Sequence, residues 1–188
     1  MTVVRRVVLS GVAGAAVGGL YVGLVTGAAS LDLGVGRRVR QLGPRIVRIA
    51  APRTVVFDVI AAPYSERPTR AMQEKVTVLE RGGDMVLAAH RTPVGKRLLA
   101  TTVETVHFTR PERVAFRLVR GPVPHVVETF DLDEDADGTV LRYHGVLGTD
   151  LWWLGRWWGD LVADRWERVV EASLDRVGEE AERRARRA

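Results

Sequence analysis

Hydrophobic and polar residues alternate along most of the chain beyond residue 75, the pattern of strands that bury one face. Short turns rich in Gly, Pro and Asp separate the alternating segments. Six strands are predicted in this region: Lys75–Arg81, Met85–Thr92, Arg97–Phe108, Arg113–Arg120, His125–Asp133 and Thr139–Leu147. An earlier apolar run, Ile46–Ala51, adds a seventh. Because short turns join antiparallel neighbours, we expect one antiparallel sheet.

Two segments have helical spacing instead. Pro52 suits the first position of a short helix that Pro63 ends, and either a second short helix or a loop follows it. A long helix is predicted from Asp150, a plausible N-cap, to about Arg187. Its apolar residues recur every three to four positions and predict a broad buried stripe: Leu154, Trp158, Val162, Trp166, Val169, Val170, Leu174 and Val177.

The N-terminal segment Val7–Ala29 contains no charged residue, and Arg5 and Arg6 precede it. As a helix it would span roughly 34 Å, just over the ~30 Å hydrocarbon core of a bilayer. We therefore expect residues 1–30 to be a single-pass membrane anchor, with a cleaved signal peptide as the alternative. Several arginines follow the segment and favour a cytoplasmic soluble domain: Arg37, Arg38, Arg40, Arg45 and Arg48.

Small residues recur every four positions in the same segment. A helix would place them on one ridge, where a second helix backbone could approach closely: Gly11, Ala15, Gly19, Gly23 and Gly27. This ridge would allow a homodimer through the N-terminal helix. The alternative is that Gly and Ala are common in membrane helices of this composition and do not mark a contact.

Composition excludes several function classes. The chain has 188 residues and a net charge of +5, but its arginines are scattered and no basic face interleaved with aromatic residues is evident, so we expect no nucleic-acid binding. The absence of cysteine excludes disulfides and thiolate zinc sites. The four histidines lie on different predicted strands, which favours scattered surface positions over a metal site. The calcium-loop match Asp133–Gly138 has His144 where the loop needs Glu, so an acidic hairpin turn is expected. No cofactor is predicted.

The order of elements resembles the START-like, helix-grip superfamily, often labelled SRPBCC or polyketide cyclase/dehydrase. The resemblance covers about Arg45 to Arg183 and rests on two segments, residues 49–58 around the first strand-to-helix turn and residues 130–143 around the last hairpin. It implies an α+β fold in which a seven-stranded curved antiparallel sheet grips a long C-terminal helix around an apolar cavity. The predicted organisation is an anchor at 1–30, a linker at 31–44, the helix-grip domain at 45–183 and a basic tail at 184–188.

The first functional hypothesis is a membrane-anchored, non-enzymatic binding module for a hydrophobic small molecule or lipid. Its candidate cavity residues are Phe116, Glu128, Phe130, Tyr143, Trp158 and Val162. Glu128 stands out because period-2 alternation places it on the same face as Phe130. A buried carboxylate is costly unless paired, so Glu128 could anchor a ligand or transfer a proton; a structural pair with a neighbouring Arg is the alternative.

Two other hypotheses remain open. The chain could be a cyclase- or dehydratase-type enzyme acting on a polyketide-like or lipophilic substrate, with Glu128 and Tyr143 as the acid/base candidates, although no recognised catalytic pair is visible. It could also be a protein-interaction module whose cavity is filled by its own side chains. Polar groups converging at one depth of the cavity would favour chemistry. Trp152, Trp153 and Trp157 crowd the start of the long helix, where they suit an interface, the cavity mouth or membrane contact.

Overall fold

Seven strands form one antiparallel sheet, as the alternation predicted. The computed structural model describes residues 18–94 and 98–187. The strands are β1 Arg38–Ile49, β2 Val76–Arg81, β3 Met85–Val94, β4 Leu98–Thr109, β5 Arg113–Arg120, β6 His125–Asp135 and β7 Gly138–Thr149. Their order in the sheet is β1-β7-β6-β5-β4-β3-β2. Apart from the β1–β7 contact, every neighbouring pair is a hairpin, which is why short turns suffice.

The first strand is longer than predicted. It starts at Arg38 rather than Ile46 and pairs with β7 from Arg38 opposite Thr149 to Ile49 opposite Thr139. Gly43 and Pro44 interrupt the alternation, and the pairing register shifts between Leu42 and Arg45. The bulge accommodates Gly43 and Pro44 within the strand, although these residues were predicted to lie in a linker. The last seven residues of the predicted linker at 31–44 therefore belong to the sheet.

The helices are α1 at residues 18–26, α2 Arg53–Ala61, α3 Arg70–Lys75 and α4 Trp152–Ala185. Pro52 precedes α2, which continues into a 3-10 turn at Ala62–Tyr64. The segment left open as helix or loop is α3, whose first turn is capped by the Thr69 hydroxyl accepting the Met72 amide. The helix-grip architecture is thus confirmed, with α4 as the gripped helix.

Small residues form much of the buried face of α4, which is a departure from the predicted stripe. Gly155, Gly159 and Ala163 are buried, whereas Leu154 is 49% exposed and Val169 is 37% exposed. A Cβ on Gly159 would lie 2.9 Å from the Thr149 methyl carbon. The helix backbone therefore approaches β7 closely at its first turns, and larger apolar side chains are displaced to either side.

Asp150 is not the N-cap of α4, because Leu151 occupies that position without a side-chain cap. The Asp150 carboxylate instead accepts hydrogen bonds from the Leu33 and Gly34 amides at 2.7 and 2.8 Å and from Arg37 Nε at 2.8 Å. These hydrogen bonds, led by the one from Arg37, hold the pKa of Asp150 below its usual range. A buried carboxylate therefore fastens the segment before β1 to the start of α4.

The described end of the N-terminal segment packs on the domain. Val25 is 6% exposed, and the ring of Tyr21 meets that of Trp158 edge to face at 6.1 Å. A side chain at Gly27 would collide with the Thr101 carbonyl of β4. Thus the last position of the proposed glycine ridge contacts its own domain, while Gly11 and Ala15 lie outside the described residues.

None of the helices in the described part of the chain has the length and hydropathy needed to cross a bilayer. Residues 18–26 are nine of the 23 residues in the predicted span, and they contact the domain. The first part of the predicted anchor, residues 7–17, lies outside the described residues.

The Asp150 contacts generate a prediction. Asp150→Asn should increase hydrogen exchange of the Leu33 and Gly34 amides at neutral pH, because a neutral amide is a weaker acceptor than a carboxylate. Because the folded-state pKa of Asp150 is depressed, its contribution is present above the unfolded value of about 3.9 and is lost as pH falls through the folded value. The difference between variant and wild type should therefore disappear in acid.

Hydrogen exchange with mass spectrometry on the peptide covering residues 31–37 would measure this effect. Asp160→Asn is the matched control, since Asp160 pairs with Arg40 and does not touch the segment before β1. Equal exchange in wild type and Asp150→Asn at neutral pH would contradict the assigned role of Asp150.

Candidate functional site

A cavity of about 760 Å³ lies between the concave face of the sheet and α4. Strands β3 to β6 supply one wall, α4 supplies the opposite wall, and α1 and the α2–α3 region contribute to its edges. The described side chains do not fill it, although the third hypothesis required a filled cavity.

Aromatic rings line the concave face in a connected series. Phe130 packs against Phe116 and Tyr143 with ring centroids 5.4 Å apart in both pairs. Tyr64 continues the series to Phe116 at 6.4 Å and to Phe108 at 5.6 Å. Alternation along β5, β6 and β7 points these side chains to one face, as predicted. The result is a rigid, largely apolar floor.

Glu128 lies in this floor and is 6% exposed. Its Oε2 accepts hydrogen bonds from the Tyr143 hydroxyl at 2.9 Å and from Trp166 Nε1 at 2.8 Å. Its cross-strand neighbours are Phe116 on β5 and Gly145 on β7. The arginine pair considered from the sequence is not formed; neutral donors hold the carboxylate instead.

Burial raises the pKa of the Glu128 carboxyl to about 7, and the nearby carboxylate of Glu104 acts in the same direction. The hydrogen bonds from Trp166 and Tyr143 and the proximity of His90 oppose that rise. Burial, with the Glu128 charge, also raises the pKa of the Tyr143 hydroxyl, so Tyr143 stays a donor. Glu128 can therefore exchange a proton near neutral pH.

A second polar group in the same cavity was missed from the sequence. The Tyr64 hydroxyl lies 2.8 Å from His90 Nε2, and His90 Nδ1 lies 3.2 Å from Glu104 Oε2. The Thr102 hydroxyl donates to Glu104 Oε1 at 2.6 Å. The Nδ1–Glu104 pair is close, but it is not aligned as a hydrogen bond, and the buried Nδ1 has no other partner among the described residues.

These four residues come from three separate segments. His90 lies on β3, Thr102 and Glu104 lie on β4, and Tyr64 ends the 3-10 turn after α2. Burial raises the pKa of Tyr64 well above its usual value, and the charges of Glu104 and Glu128 act in the same direction. We call Tyr64, His90, Thr102 and Glu104 the His90 cluster.

Most of the predicted cavity residues are where the alternation placed them. Phe116, Glu128, Phe130, Trp158 and Val162 line the cavity. Tyr143 does not: it is 1% exposed and reaches the cavity only through its hydrogen bond to Glu128. Trp158 is held by a hydrogen bond from its Nε1 to the Pro122 carbonyl at 2.7 Å.

The expectation of surface histidines fails for His90, whose side chain is 16% exposed. His107 and His144 are exposed and lie next to Asp84 and Asp131. Within the described residues, no group of three His, Asp or Glu side chains is arranged to hold a metal ion. The acidic segment after Asp133 forms the β6–β7 hairpin turn, as expected.

Residues 45–182 match the model of the family described as polyketide cyclase / dehydrase and lipid transport. The match covers nearly all of the sheet and α4 up to its last turn. The chain belongs to this family.

Solved structures with the same fold include aromatase/cyclases. The Zhui aromatase/cyclase from Streptomyces sp. R1128 is 21% identical with a TM-score of 0.62, over 78% of this chain and 96% of that one. The di-domain ARO/CYC StfQ from the steffimycin biosynthetic pathway gives a TM-score of 0.61 at 15% identity, over 78% of this chain and 52% of StfQ. At these sequence identities, the similarity shows only that this chain shares the fold of these proteins.

A curated relative, the phenylalanine–tRNA ligase alpha subunit of Prochlorococcus marinus (strain NATL2A), is 32% identical over 135 residues. The aligned part is 70% of this chain but only 36% of that subunit. The chain thus spans about a third of the length of this relative.

The environment of Glu128 predicts how stability depends on pH. A raised pKa means that the folded state holds the proton more tightly than the unfolded state, so wild-type stability should fall as pH rises from about 4.3 to about 7. Glu128→Gln keeps an acceptor for Tyr143 and Trp166 but does not titrate. Relative to wild type it should gain roughly 3–4 kcal/mol between acid and weakly alkaline pH, since each pKa unit corresponds to about 1.4 kcal/mol.

Urea unfolding of both proteins across this pH range would measure the difference. Glu80→Gln, at an exposed position on β2, is the control for a generic loss of one carboxylate. Parallel stability profiles for wild type and Glu128→Gln would contradict the raised pKa.

Proposed function

We propose that the protein binds a hydrophobic small molecule or lipid in the cavity between the sheet and α4. The observation that carries this proposal is an unfilled cavity of about 760 Å³ with an aromatic floor and two buried polar groups. This volume lies within the range of pockets that hold small-molecule ligands, roughly 300–1,000 Å³. Membership of a family described by cyclase/dehydrase activity and lipid transport supports the same class of ligand.

The polar groups narrow the chemistry of the ligand. Glu128 and the His90 cluster both face the cavity, so the best-matched ligand has an apolar body and a carbonyl or hydroxyl group within reach of them. A purely hydrocarbon ligand would remove water from these groups without adding a hydrogen bond, which costs binding free energy. A lipophilic ligand that carries a carbonyl or hydroxyl group would contact the apolar side chains of the cavity and hydrogen-bond to its polar groups.

Membrane attachment through the N-terminal segment is also part of this proposal. The uncharged residues 7–29 support it, and helix α1 at the edge of the cavity would keep the binding site near lipophilic ligands. We propose that the domain faces the cytoplasm, on the flanking-arginine argument. Self-association through the ridge of small residues Gly11, Ala15, Gly19, Gly23 and Gly27 stays a prediction.

A cavity-filling variant tests ligand binding. Ala100→Phe combined with Val162→Trp would occupy space from both walls, because both side chains line the cavity. We expect native mass spectrometry of the full chain, released from detergent after incubation with extracted lipids, to lose most of the adduct seen for wild type. Filling a cavity adds packing contacts, so the variant should still fold.

Val119→Trp is the matched control, because Val119 is 58% exposed and is not part of the cavity wall. It should retain the adduct. A wild-type protein without any adduct, or an adduct equally abundant in the filled variant, would argue against cavity binding.

A second candidate function is acid/base catalysis on the bound molecule, and the convergence of Glu128 with the His90 cluster favours it. In this scheme the Glu128 carboxylate takes a proton from a carbon next to a carbonyl, and the Tyr64 hydroxyl donates a hydrogen bond to the resulting enolate oxygen. Glu128 can then return the proton to the same carbon. Alternatively, that carbon attacks a second carbonyl of the same ligand, whose C=O π bond opens to an alkoxide that takes the proton from Glu128, which is the bond-forming step of a cyclase. The aromatase/cyclase fold of the neighbours is compatible with this chemistry.

Proton exchange tests the second candidate without the natural substrate. The probe is a long-chain β-keto ester in deuterium oxide, and proton NMR follows loss of the hydrogens between its carbonyls. We expect wild type to accelerate the exchange, with a rate that rises with pH through about 7 as Glu128 ionises. Glu128→Gln should abolish the acceleration, and Tyr64→Phe should reduce it on the order of tenfold or more.

Binding of the same probe should survive in both variants, since each keeps the shape of the cavity. Val119→Ser is the control on the convex face. If wild type binds the probe without accelerating its exchange, acid/base catalysis is contradicted, and binding or transport of the ligand remains the proposed function.

A further inference from the structure

The first turns of α4 expose large apolar side chains. Trp152 is 53% exposed, Trp153 is 78% exposed and Trp157 is 64% exposed. Leu161, one turn further along the same helix, is 53% exposed. Single exposed hydrophobic residues are ordinary, but a cluster of aromatic residues on one helical face marks an interaction surface.

This cluster continues onto the N-terminal helix. Tyr21 of α1 packs against Trp158, which follows Trp157 in the chain, and its neighbours Leu20 and Val22 are 48% and 43% exposed. We call Leu20, Val22, Trp153, Trp157 and Leu161 the mouth surface. It is joined from two elements that the fold brings together, so neither element alone would reveal it.

The mouth surface borders the opening of the cavity. Tyr21 and Val25 of α1, Leu161 of α4 and Leu99 of β4 all line the cavity, and Leu99 and Leu161 are more than half exposed. A ligand that passes between these residues would move from the apolar surface to the apolar interior. The path avoids the charged convex side of the sheet.

Most of the exposed charged residues that line the cavity are positive. Among the described residues that line the cavity, the ones with positive charge are Lys75, Arg91, Arg165, Arg168 and Arg176. The acidic lining residues are the buried Glu104 and Glu128 and a single exposed one, Glu74. Of these cations, Arg165 and Arg168 lie within two helical turns of Leu161, where they would complement an anionic surface.

Backbone geometry fixes the position of the tryptophans. Leu151 and Trp152 have positive φ angles of 69° and 50°, which non-glycine residues adopt at a cost. Their amides donate to the Val35 and Gly36 carbonyls at 2.8 and 3.0 Å. Gly36 packs so closely on the Trp152 ring that a Cβ there would lie 2.4 Å from it.

We propose that the mouth surface docks onto a lipid bilayer with anionic headgroups, so that the cavity exchanges its ligand directly with the membrane. The inference deepens the proposed function and rests on it for the identity of the cargo. Tryptophan prefers the depth where headgroups meet acyl chains, and arginine or lysine near an anionic surface is attracted to it. In the sequence, α1 is preceded by the uncharged residues 7–17, which suit the same apolar environment.

The distribution of tryptophan makes this testable on the full chain. All five tryptophans lie on α4 and none lies in the N-terminal segment, so their fluorescence reports contact of α4 with lipid. The probe is a vesicle of phosphatidylcholine and phosphatidylglycerol whose acyl chains carry bromine near the headgroup. We expect these lipids to quench wild-type fluorescence, and Trp153→Ser with Trp157→Ser to lose most of that quenching.

The matched control combines Ile46→Ser with Val119→Ser, two substitutions of exposed apolar residues on the convex face, and should leave the quenching unchanged. Arg165→Glu with Arg168→Glu should weaken quenching on these vesicles but not on pure phosphatidylcholine. Equal quenching in wild type and the double tryptophan variant would overturn the docking. Equal quenching of wild type on neutral and anionic vesicles would overturn the anionic preference. Neither readout needs a bound ligand, so failure here is separate from failure of cavity binding.

Discussion

One helix cannot cover the concave face of a seven-stranded sheet, and the cavity follows from that mismatch. Strands spaced about 4.8 Å apart make a sheet about 29 Å wide, whereas a helix with its side chains is about 10 Å across. Helix α4 packs mainly on β1, β7 and α2. The concave side chains of β3 to β6 consequently face α4 across a gap, which holds the candidate site.

The close contact at one edge makes that gap stable. Gly159 lets α4 approach β7, and Gly155 lies against the Asp150 backbone. The Asp150 carboxylate ties the segment before β1 to the same corner. These contacts fix the direction in which α4 leaves the sheet. They also bring α1 against Trp158. The opening of the cavity is therefore formed by α1, which precedes the sheet in the chain, and α4, which follows it.

Much of this could be predicted from the sequence because strand alternation is a local pattern. It identified all seven strands and the face of Glu128, but it lost β1 at Gly43-Pro44, where only pairing with β7 shows that the strand continues. The His90 cluster was missed because its members come from three segments without a motif. The sequence of these strands shows no clear alternation: apolar Leu87 and Ala89 separate Val86, Ala88 and His90, and the buried positions of β4 include polar Thr102 and Glu104.

The polar groups in the cavity are hard to explain by stability. Glu128 and Glu104 are both buried, the charge of each disfavours that of the other, and an apolar pair of similar size would pack without this cost. The two carboxylates are held in place by hydrogen bonds from Tyr143, Trp166 and Thr102. Such an arrangement is retained at a cost to folding, and both carboxylates point into the space that the sheet and helix leave open. The buried polar groups of the cavity are therefore better explained by a function than by stability. The aromatic floor and the basic lining residues suit the holding and the entry of a ligand.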